Sequence, residues 1–122
     1  MNNKNFKEEF KKRIYQFIIK LLNFLEKLPK NDPLGKIITE QLIRSGTSIG
    51  ANYIEAIASS SKKEFTNFLS HSLKSMNESK FWLAILRDMK KADINSVNDL
   101  LKELSELSNI LATSIKTLRN KN

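Results

Sequence analysis

The sequence predicts an all-α protein, built as an antiparallel up-down-up-down four-helix bundle. Apolar residues recur every three or four positions along four separate stretches, which is the period of a helix with one buried face. The stretches are joined by short polar or proline-containing segments, and short connections favour antiparallel neighbours. The chain has 122 residues, 40% of them apolar, which suits one domain over residues 1–122 with a substantial core.

The first helix is predicted over residues 5–28. Pro29 ends it, because proline cannot continue a helix and disfavours the helical conformation in the residue before it. Arg13, Lys20 and Lys27 recur every seven residues and so follow one side of the helix. The apolar stripe beside them consists of Phe6, Phe10, Ile14, Phe17, Ile18, Leu21, Leu25 and Leu28.

The second helix is predicted over residues 33–58, with Asp32 as its N-cap and Pro33 at the first helical position. Its core stripe consists of Leu34, Ile38, Leu42, Ser45, Ile49, Tyr53 and Ala56. A second seam runs along the helix at another angle and consists of Ile43, Gly46, Gly50, Ile54 and Ile57. This helix therefore has more apolar surface than one core face needs.

The two glycines of this seam destabilise a helix interior by about 2 kcal/mol together, relative to alanine. We expect the close approach of another backbone at Gly46 and Gly50 to offset this cost. The alternative is a kink, or a break into two shorter helices.

The third helix is predicted over residues 62–90. A serine run ends the second helix, and Ser61 with Glu64 has the spacing of a capping box. The core stripe consists of Phe65, Phe68, Leu69, Ser72, Met76, Leu83 and Leu86. Large apolar residues also lie away from that stripe, and we expect another subunit or a neighbouring helix to cover them. With part of the second-helix seam they form the candidate oligomer interface: Ile43, Gly46, Gly50, Ile54, Phe81, Trp82, Ile85 and Met89.

The fourth helix is predicted over residues 96–119, with Asn95 or Ser96 as its N-cap and Asp99 in the first turn. One apolar stripe runs along it: Val97, Leu100, Leu101, Leu104, Leu107, Leu111, Ile115 and Leu118. The first and fourth helices are thus one-faced, whereas the second and third have extra apolar surface. This asymmetry indicates self-association.

The net charge is +8, and the positive excess lies in residues 1–30 and 61–91. Two helices could therefore share a positive surface of the kind that attracts nucleic acid. The first candidates for phosphate contacts are Arg13, Lys20 and Lys27, and the second are Lys62, Lys63 and Lys74. The alternative is that these side chains serve solubility alone. Tyr15 and the phenylalanines fit core stripes better than base-stacking platforms.

Residues that carry chemistry are scarce. There is no cysteine, and His71 is the single histidine, which we expect at the surface or in an interface. No Glu-x-x-His motif of a di-iron bundle occurs, and the segment around Gly46 lacks the Gly-Lys-Ser/Thr of a phosphate loop. We therefore expect no enzymatic activity, no metal and no cofactor. Glu55 lies in an apolar run, so we expect it to be at least half-buried and paired with a basic side chain.

The cellular location is predicted from what the chain lacks. No apolar run near the start separates a basic segment from a small-residue cleavage site, as a secretory signal would require. No stretch approaches about 18 uninterrupted apolar residues, the length of a membrane span. Together with the absence of cysteine, these features indicate a cytoplasmic protein without a membrane partner.

Two segments, SIGANYIEA and SKKEFTNFLSHSLKSMNESKFWL, resemble the four-helix-bundle family of 23S rRNA intervening-sequence proteins. This family also includes the accessory protein of diversity-generating retroelements. Gly50-Ala51 replaces the more usual proline-serine, and Ala56 with the serine cluster replaces a Glu-Gly turn. The matching residues are Ser48, Ile49, Asn52, Glu55, Ser61, Lys62, Lys63, Glu64, Phe65, Phe68, Leu69, Ser72 and Ser75.

The resemblance implies a bacterial protein that forms a ring-like homopentamer with a basic surface and associates with nucleic acid without known catalysis. Three classes of function remain. The first is an oligomer that binds RNA or DNA through phosphate contacts from helices one and three. The second is a protein-interaction scaffold or accessory subunit, for example for a reverse transcriptase. The third, an enzyme, is the least favoured.

Overall fold

The computed structural model describes residues 4–121, so residues 1–3 and 122 of the predicted domain lie outside the described part. It contains α1 (Lys4–Glu26), α2 (Pro33–Ala58), α3 (Lys62–Asp88) and α4 (Ile94–Asn120). Each helix packs against the next one in the chain, and α1 also packs against α4. The hydroxyl of Tyr53, near the end of α2, donates to the carbonyl of Lys7, near the start of α1 (3.1 Å). The predicted antiparallel four-helix bundle is confirmed.

The core lies on the axis of the bundle, and the predicted stripes line it almost completely. Leu21, Leu42, Leu69 and Leu104 are fully buried, one from each helix. The main exception is Leu34, which was expected in the core but is 53% exposed. It lies in the first turn of α2, at an end of the bundle where the core layers stop.

The packing of α2 against α3 is the most extensive in the bundle, and small side chains make it possible. Serines from both helices meet at this interface, and each buried hydroxyl has a hydrogen-bond partner, as a polar group out of water requires. The contacts are Ser45 Oγ to Ser79 Oγ (2.8 Å), Ser72 Oγ to the carbonyl of Ile49 (2.8 Å) and Ser75 Oγ to Ser48 Oγ (3.0 Å). We call this set of residues the serine seam.

The two glycines of α2 face α1. A Cβ atom on Gly46 would lie 2.5 Å from Cδ2 of Leu21, and one on Gly50 would lie 2.7 Å from Cδ1 of Ile18. The glycines therefore make room for side chains of α1, and not for a closely approaching backbone as the sequence suggested. The alternative of a broken helix is wrong, because α2 is continuous over Pro33–Ala58.

Two of the three predicted N-caps are confirmed. Asp32 accepts from the backbone N–H of Gly35 (3.3 Å), and Ser61 accepts from that of Glu64 (3.1 Å). The fourth helix begins earlier than predicted, at Ile94, because Asp93 caps it and not Asn95 or Ser96. The Asp93 carboxylate accepts from both the backbone N–H and the hydroxyl of Ser96, each at 2.9 Å. A carboxylate at this position also has a favourable interaction with the helix dipole.

The carboxylates that cap α2 and α4 have lowered pKa values. For Asp32, the chief cause is the hydrogen bond from the Lys91 ammonium (2.9 Å), followed by the backbone N–H of Gly35. For Asp93, the chief cause is the backbone N–H of Ser96. Lys91 also belongs to the turn that ends α3, so its ion pair with Asp32 joins two loops at one end of the bundle.

We predict that Gly46→Ala destabilises the fold and that Gly50→Ala does not. Alanine gains about 1 kcal/mol of helix propensity at either position. At Gly46 the new methyl group meets fully buried Leu21, and overpacking of that kind costs about 1–3 kcal/mol. At Gly50 it meets the end of Ile18, which is only partly buried and can turn toward solvent. Urea unfolding of both variants checks this, and equal midpoints would contradict it.

We predict that Asp93→Asn flattens the dependence of stability on pH. A carboxylate with a lowered pKa in the folded state stabilises the fold above its unfolded pKa, about 4, and that contribution is lost as the pH falls through the folded pKa. Asparagine retains a capping oxygen but does not titrate. Urea unfolding at pH 7 and pH 3 measures the difference. Asp99→Asn, on the exposed side of the same helix, is the control, and equal flattening by both substitutions would contradict the prediction.

Candidate functional site

Arg13, the first candidate for a phosphate contact, forms ion pairs with carboxylates of the chain itself. Its Nε and Nη2 donate to the two carboxylate oxygens of Glu103 (2.9 and 2.8 Å), and Nη2 also lies 2.8 Å from Glu106. The hydrogen bond with Glu103, and next the one with Glu106, raises the already high pKa of Arg13. Arg13 therefore joins α1 to α4, and its charge is largely neutralised by two carboxylates.

The other arginines also make internal contacts. Arg44 forms an ion pair with Glu78 across α2 and α3, Arg87 contacts Asp88 and Asn98, and Arg119 donates to Ser70 (3.0 Å). The lysines differ. Among the lysines of residues 4–121, Lys91 forms an ion pair, with Asp32. No carboxylate oxygen in this range lies within 4.0 Å of the ammonium group of any other lysine in it. The excess positive charge of the described chain is thus carried mainly by lysine ammonium groups, together with Arg119, whose partner Ser70 is neutral.

The remaining candidates do not lie together. Lys20 and Lys27 line a hollow of about 540 Å³ between α1 and α4, which also contains Asp99. Lys63 and Lys74 are exposed on α3. A positive surface shared by α1 and α3 along their length is therefore ruled out, because the described parts of these two helices lie diagonally and do not pack against each other.

The two basic segments do meet at one end of the bundle, where α1 and α3 both begin. Lys7 Nζ lies 4.7 Å from the ring centroid of Phe65, and Lys62 Nζ donates to the carbonyl of Lys121 (2.7 Å). These three lysines and Ser59, Ser60 and Ser61 line a hollow of about 490 Å³, and none of the described residues that line it is acidic. We call it the end hollow. Lys7 and Lys121 were not among the residues predicted from the sequence. The signals available for them were a lysine near the start of the first helix and another after the last helix.

An apolar groove of about 570 Å³ lies on the outer side of α1 and α2. Tyr15, Ile54, Gly50 and Ala51 line it, and the first two side chains are 65% and 45% exposed. The expectation that Tyr15 belongs to the core is wrong, because it lies beyond the edge of the α1 stripe. We call this the α1–α2 groove.

Other exposed apolar side chains lie near the start of α2 and in the second half of α3. The serine seam sets an antiparallel register that places residues 34–37 across from residues 86–90. Phe81 is 58% exposed and packs edge-on against Trp82, with ring centroids 5.1 Å apart. We refer to the exposed residues Leu34, Ile37, Phe81 and Met89 together as the α2–α3 patch.

The candidate interface residues fall into two groups. Ile43, Ile54, Phe81 and Met89 are exposed in the chain. The other candidates are used within the chain. Gly46 and Gly50 accommodate α1, while Trp82 and Ile85 are partly buried against the chain's own core.

Most residues of the family motif have structural contacts, but neither Lys63 nor Glu55 forms an ion pair within the described chain. Asn52 donates to the carbonyl and hydroxyl oxygens of Ser48, both at 3.0 Å, and so extends the serine seam. Glu55 was expected to be buried and paired, but it is exposed and has no ion pair within the described chain. Its apolar neighbours in sequence point to other sides of the helix, which is why the run was misleading. His71 is exposed, as expected, with its ring 6.2 Å from that of Phe68.

The described residues contain no group of three or more histidine, aspartate and glutamate side chains that could hold a metal ion. Among the same residues, no helix combines the length and apolar character needed to cross a membrane.

Comparison with known proteins gives a match to a family model and matches to solved structures. The model of the 23S rRNA-intervening sequence protein family matches residues 7–113. A crystal structure of a protein with unknown function, from the S23 ribosomal protein family and from Bacteroides thetaiotaomicron VPI-5482, matches with a TM-score of 0.83 and 29% sequence identity. The match covers 90% of this chain and 97% of that one. None of the curated proteins matches.

Proposed function

The chain belongs to the 23S rRNA-intervening sequence protein family, and we propose that it is a non-catalytic homo-oligomer that binds RNA or DNA through phosphate contacts. The observation that carries this proposal is the set of lysines without ion pairs, three of which line the end hollow. Like charges gathered around a lining that has no acidic residue repel one another, and a polyanion relieves that repulsion. Binding to nucleic acid of this kind is driven by the release of counterions.

The arginines and the lysines of this chain differ in their contacts, and this difference favours binding with little sequence preference. Reading bases in the major groove relies on planar side chains such as arginine, which donate two hydrogen bonds in a fixed geometry. The arginines of this chain have internal partners. A lysine ammonium acts as a point charge that suits a phosphate of any sequence.

The exposed apolar surfaces support self-association. The α1–α2 groove and the α2–α3 patch lie on different sides of the bundle, so one copy could place its patch against the groove of the next. Contacts between two different surfaces generate a ring where the rotation closes. The family resemblance implies a ring of five copies, which would bring several basic ends into one assembly.

A scaffold or accessory subunit for another protein, for example a reverse transcriptase, is the second candidate function. The observation that favours it is the α1–α2 groove, whose apolar lining could take an apolar helix of a partner. Its rim mixes Glu8 and Glu9 with Lys11 and Lys12, so it is not suited to nucleic acid.

We predict that Phe81→Glu combined with Met89→Glu breaks the oligomer and leaves a helical monomer. Both side chains are more than half exposed, so the fold does not depend on them. Light scattering at micromolar concentration gives the mass, and circular dichroism gives the helix content. The matched control is His71→Glu with Lys74→Glu, two exposed positions of the same helix, which should leave the mass unchanged. A monomeric unmodified protein would contradict self-association.

We predict that Lys62→Gln combined with Lys63→Gln weakens binding to unrelated RNA and DNA sequences alike. Each lost phosphate contact should reduce the slope of log affinity against log salt by about 0.7 for a single strand. Fluorescence anisotropy over a range of salt concentrations measures both quantities. Arg13→Gln is the control, because its guanidinium is held by Glu103 and Glu106, so it should lower stability and leave the slope unchanged.

Two outcomes would count against the proposal. If the unmodified protein retains neither RNA nor DNA at low salt, the scaffold function replaces it. If binding is confined to one sequence and does not respond to salt, the phosphate mechanism is wrong.

A further inference from the structure

We infer that the end hollow binds the phosphate monoester at the terminus of a nucleic-acid strand. This inference rests on the proposed function and deepens it, because it names the chemical group that one site receives. The ligand is a terminal phosphate, as distinct from the phosphodiesters along the strand.

The lining of the end hollow separates it from the larger hollows of the chain. Three lysines from different parts of the chain line it: Lys7 of α1, Lys62 of α3 and Lys121, which follows α4. Three serines complete its polar lining, and no acidic residue is among the lining residues. The α1–α2 groove includes two glutamates, and the hollow between α1 and α4 includes Asp99. The end hollow is therefore the better fit of the three for a multiply charged anion.

Contacts within the chain hold two of these lysines at the hollow. The ammonium of Lys7 is placed over the face of Phe65, an attractive interaction between a cation and an aromatic ring. The ammonium of Lys62 donates to the carbonyl of Lys121. A lysine ammonium has three donors, so Lys62 retains two for a ligand. The lysines are thus partly ordered before any ligand arrives, which lowers the entropy lost on binding.

The charge of the ligand decides between a terminal and an internal phosphate. A terminal monoester carries about −1.5 to −2 charges at pH 7 and three free oxygens, because its second pKa is about 6. An internal diester carries a single charge and has two free oxygens. Three lysines that line one hollow match the higher charge of the monoester. A diester would leave part of this positive charge uncompensated.

The carboxylate of Glu64 lies just outside this lining and accepts a hydrogen bond from the backbone N–H of Ser60 (3.4 Å). Its negative charge opposes an incoming phosphate. Glu64→Gln removes this charge and keeps an oxygen that can accept from Ser60. The substitution should therefore tighten binding of a terminal phosphate in the end hollow.

The experiment compares two RNA oligonucleotides of one sequence, labelled at the 3′ end and carrying either a 5′-phosphate or a 5′-hydroxyl. Fluorescence anisotropy at about 150 mM salt limits the contribution of the strand itself. We expect affinity about 10-fold higher for the phosphorylated strand, as several charge-assisted hydrogen bonds would produce. The preference should shrink as the pH falls below about 6, where the phosphate takes up a proton.

Variants locate the site. Lys7→Gln with Lys62→Gln should abolish the preference, and Glu64→Gln should increase it. The matched control is Lys20→Gln with Lys27→Gln, which changes the same number of lysines in the hollow between α1 and α4. It should weaken both oligonucleotides equally and leave their ratio intact. Circular dichroism confirms that each variant is folded.

The outcomes separate this inference from the proposed function. Equal, salt-dependent affinity for the two oligonucleotides overturns the terminal site and leaves the proposed function standing. Absence of binding to both overturns the two together. A preference that survives Lys7→Gln with Lys62→Gln overturns the location. Inorganic phosphate and a nucleoside 5′-monophosphate serve as competitors. If either one binds saturably and the protein does not prefer the phosphorylated strand, the site is one for free phosphate. That result overturns the strand end as the ligand.

Discussion

The close packing of α2 against both of its neighbours is the constraint on which the rest of the bundle depends. On one side, the serine seam lets α3 approach and satisfies each buried hydroxyl. On the other, Gly46 and Gly50 leave room for Leu21 and Ile18 of α1. Small residues on two sides of one helix set the spacing of three helices, and α4 then closes the bundle against α1 and α3.

This spacing explains why apolar residues are left outside. Where small residues occupy the contact line between helices, the large side chains beside that line cannot enter it. Ile43 and Ile54 lie outside the glycine contact, and Phe81 and Met89 lie outside the serine seam. The fold thus creates its exposed apolar surfaces by the way it packs α2, and those surfaces are the basis for proposing self-association.

The same topology controls the charges. Because α1 and α3 lie diagonally, their lysines come together only where both helices begin, around the end hollow. The arginines follow a different pattern, since they join neighbouring helices through carboxylates and hydroxyls. A lysine-lined hollow that has no arginine in its lining is suited to phosphates and poorly suited to base readout, which connects the fold to the function proposed for it.

The sequence by itself determined the four helices, most of the core and two of the N-caps, because helical periodicity and capping depend on residues within a turn or two of each other. Asp32 and Ser61 are examples. Only the tertiary structure decided which side chains meet across helices. Glutamates some ninety residues away neutralise Arg13, Glu55 is exposed and has no ion pair among the described residues, and Lys7 reaches Phe65. Such contacts depend on the register and order of helices, and the period of a single helix contains no information about either.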